Sequence, residues 1–138
     1  IGSGPLKKEI SGFKNIYVKN VPYNKIYLEY ANADIFCLPS RATSTWEEQF
    51  GMCLVEAMAS GIPIVSTKTG AIPEVCGEVA LLVKPQTPHA LYNAIHKLIY
   101  NRQQRQRMGK EGRILAEEKY DSKKIVKQIA AVYQKVCP

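Results

Sequence analysis

No run in the chain approaches 18 consecutive apolar residues, so nothing in it reads as a membrane-spanning helix. The first residues lack a charged stretch followed by an apolar one, so no secretory leader is read there either, and a soluble, cytoplasmic protein is expected. Cysteine is sparse. Cys37, Cys53, Cys76 and Cys137 show no C-x-x-C spacing, and two of them fall inside apolar strand and helix patterns, so reduced thiols are expected rather than disulfides. Histidine is sparser still: His89 and His96 stand seven apart on one predicted helix, which is not the i, i+4 spacing that aims two imidazoles at one metal, and no carboxylate lies in register. Ordinary surface or interface positions are read for both, with no metal site.

Acidic residues are few, 12 against 19 basic ones, leaving a net charge of +7. Much of the excess falls between Lys97 and Lys127, and it admits a solvated helix face or contact with an anionic membrane surface. A nucleic-acid partner is not expected, because no basic stripe interleaved with aromatics is present.

With 46% hydrophobic residues, 138 residues can bury a real core as one domain, residues 1–138. Short apolar runs alternate with helical patterns, which predicts an α/β fold, a Rossmann-like parallel sheet flanked by helices. Strands are expected near residues 16–18, 34–38, 63–66 and 79–83. Between the first two, Ile26, Tyr27 and Tyr30 stand at helical spacing. Thr87 is the expected N-cap of a helix whose Leu91, Ala94, Ile95, Leu98 and Ile99 form a core stripe. Gly109 and Gly112 are expected to weaken a helix over 101–119, and Asp121 to cap a last helix with Ile125, Ile129, Val132 and Val136 on one side.

The densest signal is EEQFGMCLVEAMASGIPIVS, residues 47–66. An apolar run of helical spacing begins after Gly51, so the N–H groups of Gly51, Met52, Cys53 and Leu54 are expected to be unpaired at a helix start, which is an anion site. Gly61 suits a left-handed C-terminal cap, and Pro63 bars continuation. Glu56 would lie roughly 7 Å along the axis from the start, and Glu48 precedes it. Acids on both sides of an anion site suit a ligand with hydroxyl groups at both ends of a diphosphate, as in a nucleotide sugar. In open sheets ligands sit beyond the carboxyl ends of the strands, where loops 19–23, 39–50 and 67–72 are expected to converge, the last bringing Lys68, Thr69 and Gly70.

EEQFGMCLVEAMASG resembles the E-x7-E signature of retaining GT-B glycosyltransferases, especially family 4, the glycosyl transferases group 1. IGSGPLKKEI, YANADIFCLPS, TGAIPEV and VALLVKP are similar to further family segments, so the resemblance covers nearly all of the chain. It implies transfer of a sugar from a nucleotide diphosphate sugar to an acceptor hydroxyl on a sugar, lipid-linked or polysaccharide acceptor, with retention and without a metal or other cofactor. By position it puts Glu56 on the ribose hydroxyls and Glu48, the candidate catalytic residue, on a donor-sugar hydroxyl. The diphosphate falls to the amides near Gly51, Met52 and Cys53, with Leu54 in the same turn, and Val21 lies against the base. Gln49, Phe50 and Gly70 complete the candidate set. Trp46 either stacks on a sugar or packs against Phe50.

Departures exist. SRATSTWE is longer and more polar than the usual loop, and Gly70-Ala71 replaces Gly-Gly. The family's N-terminal acceptor domain, and the Arg and Lys that neutralise the diphosphate, have no counterpart here. The resemblance therefore implies a truncated C-terminal GT-B domain that binds nucleotide weakly and does not turn over alone. A GT-B epimerase and a non-catalytic module docking on a membrane or partner are the alternatives.

Overall fold

A computed structural model describes residues 1–10 and 12–136, so Cys137 lies outside the described residues. Three parallel strands form one sheet, β1 (Phe36–Leu38), β2 (Ile64–Thr67) and β3 (Ala80–Val83), in that spatial order. Phe36 pairs with Ile64 and Leu38 with Ser66, and Ile64 pairs with Ala80 through Thr67 with Val83. Between them run α3 (Met52–Ala59) and α4 (Ile72–Cys76), and after β3 come α5 (Pro88–Tyr100), α6 (Arg102–Lys119) and α7 (Ser122–Val136). Ahead of the sheet lie α1 (Lys7–Ile10) and α2 (Ile26–Ala31), the latter entered through a 3-10 turn at Tyr23–Lys25.

A parallel sheet must be covered on both faces. Every residue of central β2 is buried, and alternation sorts its side chains. Ile64 joins Leu54, Ala57, Met58, Ile72, Val75 and Cys76 under α3 and α4. Val65 faces the other way, onto Leu98 and Met108, with Leu91, Ala94 and Ile95 of α5 packed against them. The expected stripe is thus core, except that Ile99 is 53% exposed.

Three of the four expected strands form. Residues 16–18 do not: Ile16 and Tyr17 are exposed, the Ile16 N–H donates locally to the Phe13 carbonyl at 3.2 Å, and the Gly2 N–H donates to the Lys19 carbonyl at 2.8 Å just beyond the segment. A β-prone triplet becomes a strand only when a neighbour completes its ladder, and among the described residues β1, at the sheet edge, pairs only with β2. In α2 Tyr30 is buried and Ile26 half-buried, but Tyr27, expected on the same stripe, is exposed.

Helix α3 ends as its sequence predicts. Gly61 has φ +72°, its N–H donates to the Met58 carbonyl at 2.9 Å, and the Ile62 N–H donates to the Ala57 carbonyl at 3.1 Å, a Schellman motif. Gly109 corrects the expectation of a weakened helix. A Cβ there would stand 2.1 Å from the Gly61 carbonyl oxygen, and one at Gly112 would touch Met58, so both glycines let α6 lie directly against α3. Thr87 precedes α5, but its hydroxyl donates to the Lys84 carbonyl instead of capping the helix. Asn101 caps α6 through the Gln104 N–H at 2.8 Å, and Asp121 accepts the Lys123 N–H at 2.7 Å before α7. No residue of α7 is buried; Val126, Ile129, Val132 and Val136 are exposed. Among the described residues no helix is long and apolar enough to cross a membrane.

Candidate functional site

Gly51 sets the site. Its φ of +78° and ψ of 60° are left-handed, a conformation glycine adopts without steric cost, and they turn the chain from the 39–50 loop into α3. A Cβ at this position would also press on the buried Leu54 side chain at 2.7 Å. At the first turn the N–H groups of Met52 and Cys53 have no intrahelical acceptor. Leu54 corrects the expectation of a fourth open amide: its N–H donates to the Gly51 carbonyl at 2.8 Å, because the turn tightens, and its side chain is wholly buried.

Glu48 is held by backbone. The Ala71 N–H donates to the Glu48 carbonyl at 2.9 Å, and Gly70, at φ +50°, passes so close that a Cβ would stand 2.1 Å from the same oxygen. Its carboxylate accepts from the Ser40 hydroxyl at 3.4 Å, while the Ser40 carbonyl accepts from the Thr67 hydroxyl at 2.6 Å. The ends of β1 and β2 are thereby tied to the 39–50 and 67–72 loops. Lys68 is exposed and Thr69 buried in the third loop, and Gln49 is exposed beside Glu48.

Glu56 is held by side chains. Tyr23 donates to Oε1 at 3.1 Å and Tyr30 to Oε2 at 2.9 Å. The two phenols titrate above their ordinary range. For Tyr23 the hydrogen bond to Glu56 is the main cause, and for Tyr30 burial comes first and that hydrogen bond second. The sequence reading missed both tyrosines. Tyr30 carried a signal in its helical spacing and Tyr23 in its place on the 19–23 loop expected at the site, but neither spacing pointed to Glu56, 26 and 33 residues away. Val21 is half-buried two residues before Tyr23.

The charges of both acids act on the Cys53 thiol. Burial raises its pKa most, the charge of Glu48 next, and that of Glu56 less. Carboxylates on both sides of an open helix start can accept hydroxyls at two ends of a ligand whose middle is anionic. Phe50 turns its ring edge-on to Tyr120, centroids 5.7 Å apart. Trp46 is 51% exposed, its carbonyl and amide engaged with Thr43. Among the described residues no group of three or more His, Cys, Asp or Glu side chains could hold a metal ion.

A family model described as glycosyl transferases group 1 matches residues 6–115. The chain is 38% identical over 108 residues to the MMP alpha-(1->4)-mannosyltransferase of Mycolicibacterium hassiacum, covering 76% of this chain and 25% of that protein. Among solved structures, sucrose-phosphate synthase from Thermosynechococcus elongatus superposes with a TM-score of 0.74 at 28% identity, over 88% of this chain and 30% of that one. Anabaena HepE in complex with UDP-glucose superposes with a TM-score of 0.67 at 28% identity, over 78% and 29%. The chain spans about a quarter of the length of the curated relatives it matches.

Proposed function

The chain belongs to the glycosyl transferases group 1 family, and from that premise we propose that residues 1–138 are the donor-binding domain of a retaining GT-B glycosyltransferase of family 4. The whole enzyme, with an acceptor domain beyond this chain, transfers a sugar from a nucleotide diphosphate sugar to a hydroxyl of a sugar, lipid-linked or polysaccharide acceptor. Glu56 accepts the ribose hydroxyls and Glu48 a hydroxyl of the donor sugar, with Gln49 and Phe50 beside it. The Gly51, Met52 and Cys53 amides take the diphosphate, and Val21 covers the base. As the glycosidic bond breaks, negative charge grows on the leaving phosphate oxygen, where a fixed helix start stabilises it without a metal ion. This chain alone binds nucleotide weakly and does not turn over.

The observation that carries the reading is the contact of Gly70 and Ala71 with the Glu48 backbone, which keeps Glu48 at the same helix start that carries Glu56. Its test is a titration with UDP and GDP, free and sugar-linked, followed by protein-observed NMR beside Glu56→Ala. Shifts at the Gly51 helix start that the variant weakens are expected. Shifts elsewhere, or shifts indifferent to the variant, would overturn it.

The exposed face of α7 favours a second activity for the same protein. Val126, Ile129 and Val132 lie bare on a helix that also carries Lys123, Lys124 and Lys127, the pattern of a helix resting on an anionic membrane surface from the cytoplasmic side. Binding to acidic vesicles that disappears when the three lysines become glutamine supports it; binding that survives this change refutes it.

A further inference from the structure

A carboxylate offers about four acceptor positions, and on Glu56 one at each oxygen is already taken. The two donors differ in kind. Tyr30 is 8% exposed, its ring stands against Phe36 with centroids 5.8 Å apart, and its hydroxyl also lies 3.5 Å from the Cys53 carbonyl. Tyr23 is 76% exposed, sits on a single 3-10 turn, and among the described residues places its hydroxyl on Glu56 alone. Upstream, the Lys19 ammonium is fixed to Glu29 of α2 at 2.9 Å, so the 19–23 loop stays anchored at Lys19 when the Tyr23 end lets go.

We propose that Tyr30 is a positioning residue that fixes the Glu56 carboxylate, and that Tyr23 is a displaceable latch on the carboxylate oxygen that a ribose hydroxyl takes. This rests on the reading of Glu56 as the ribose acceptor. A nucleotide enters by exchanging one hydroxyl donor for another on Oε1, and the released Tyr23 ring remains two residues along the loop from Val21, where the base arrives. The free site never exposes a bare carboxylate, and closure over the base and engagement of the ribose become one event.

Two substitutions that each delete one hydroxyl from the same carboxylate then have opposite signs. Tyr23→Phe removes a competitor present only in the free state and tightens UDP binding about three- to tenfold. Tyr30→Phe frees the carboxylate to rotate in both states and weakens it by a similar factor. The experiment is calorimetric and NMR titration of wild type, Tyr23→Phe, Tyr30→Phe and Glu56→Gln with UDP, together with the pH titration of the Tyr23 phenol. In the free protein Glu56→Gln should lower the midpoint of that phenol, and saturation with UDP should lower it in wild type. Opposite shifts in affinity, with the Tyr23 midpoint responding to both, establish the latch. If wild type binds UDP, Glu56→Gln does not, and Tyr23→Phe binds no more tightly, the ribose reading stands and the latch falls. An unresponsive Tyr23 midpoint also overturns it, and failure of wild type and Tyr23→Phe alike to bind overturns both readings.

Discussion

Replacing Gly70 by alanine should detach Glu48 from the site while leaving Glu56 in place. The new Cβ would stand 2.1 Å from the Glu48 carbonyl oxygen, 2.9 Å from its carbonyl carbon and 3.0 Å from its nitrogen. That is roughly 1.3 Å short of ordinary contact, and all three atoms are backbone, so no side chain can turn aside. At φ +50° alanine also pays a left-handed penalty of roughly 1–2 kcal/mol. Separating the loops breaks the bond from the Ala71 N–H to the Glu48 carbonyl, a further loss of about 1 kcal/mol. Together these predict destabilisation by about 2–3 kcal/mol, or about 6–12 °C in Tm for a domain of this size. Gly61→Ala is the control, since Gly61 has φ +72° and its built Cβ meets only the Gly109 carbonyl oxygen at an ordinary 3.9 Å; it should lose only the backbone part. The assay pairs thermal melts with affinities for UDP and a UDP-sugar. In Gly70→Ala the advantage of the UDP-sugar over UDP should shrink about tenfold, with UDP itself held through Glu56. Equal losses for both ligands, or a Tm matching the Gly61→Ala control, would refute the reasoning.

Gly109→Ala places a Cβ 2.1 Å from the Gly61 carbonyl oxygen and must push α6 off α3; a loss of about 2–4 kcal/mol in urea unfolding is expected, with an NMR map of UDP contacts unchanged. Cys76 is wholly buried and burial pushes its thiol from 9.0 up to about 11. The folded state keeps that proton after the unfolded chain has released it, so stability present below about pH 9 falls as pH rises to about 11, by about 2–3 kcal/mol. Urea midpoints of wild type and Cys76→Ala across this range isolate the contribution, and parallel curves would contradict it. Shortening the exposed 42–46 segment, which folds on itself through Thr43 and the Trp46 carbonyl and amide, should alter the order of preference among UDP-sugars in competition titrations and leave the choice between UDP and GDP intact.

Features written into neighbouring residues were legible in the sequence. Gly51 and Gly61 bracket α3 because helix ends are set by chemistry within a few residues, and Asp121 caps α7 for the same reason. Features that depend on a partner far along the chain were misread or missed. Residues 16–18 have strand composition but no ladder partner among the described residues. Gly109 looked like a helix defect until Gly61 stood against it. The position of Glu56 in its helix was readable, but the phenols that hold it come from 26 and 33 residues away.

The two acids are held by different means, and this bears on how the site can vary. Glu48 is set by main-chain contact, the Ala71 N–H and the bare face of Gly70, with Ser40 as its side-chain partner. Its position therefore depends on where two loops run more than on which side chains they carry. Residues 42–46, all exposed, can change identity without moving it. Glu56 is set by two phenols, one of them buried in the core under α3, so its orientation is coupled to the packing of α2 against that helix. Under the donor-domain reading, the sugar end of the ligand meets the variable part of the scaffold and the ribose end meets its core. Changes of sugar preference are then cheap in stability, because they fall on solvated loop positions where substitutions rarely exceed about 0.5 kcal/mol. A change at the ribose acid must instead disturb Tyr30, Phe36 and the buried face of α3 together.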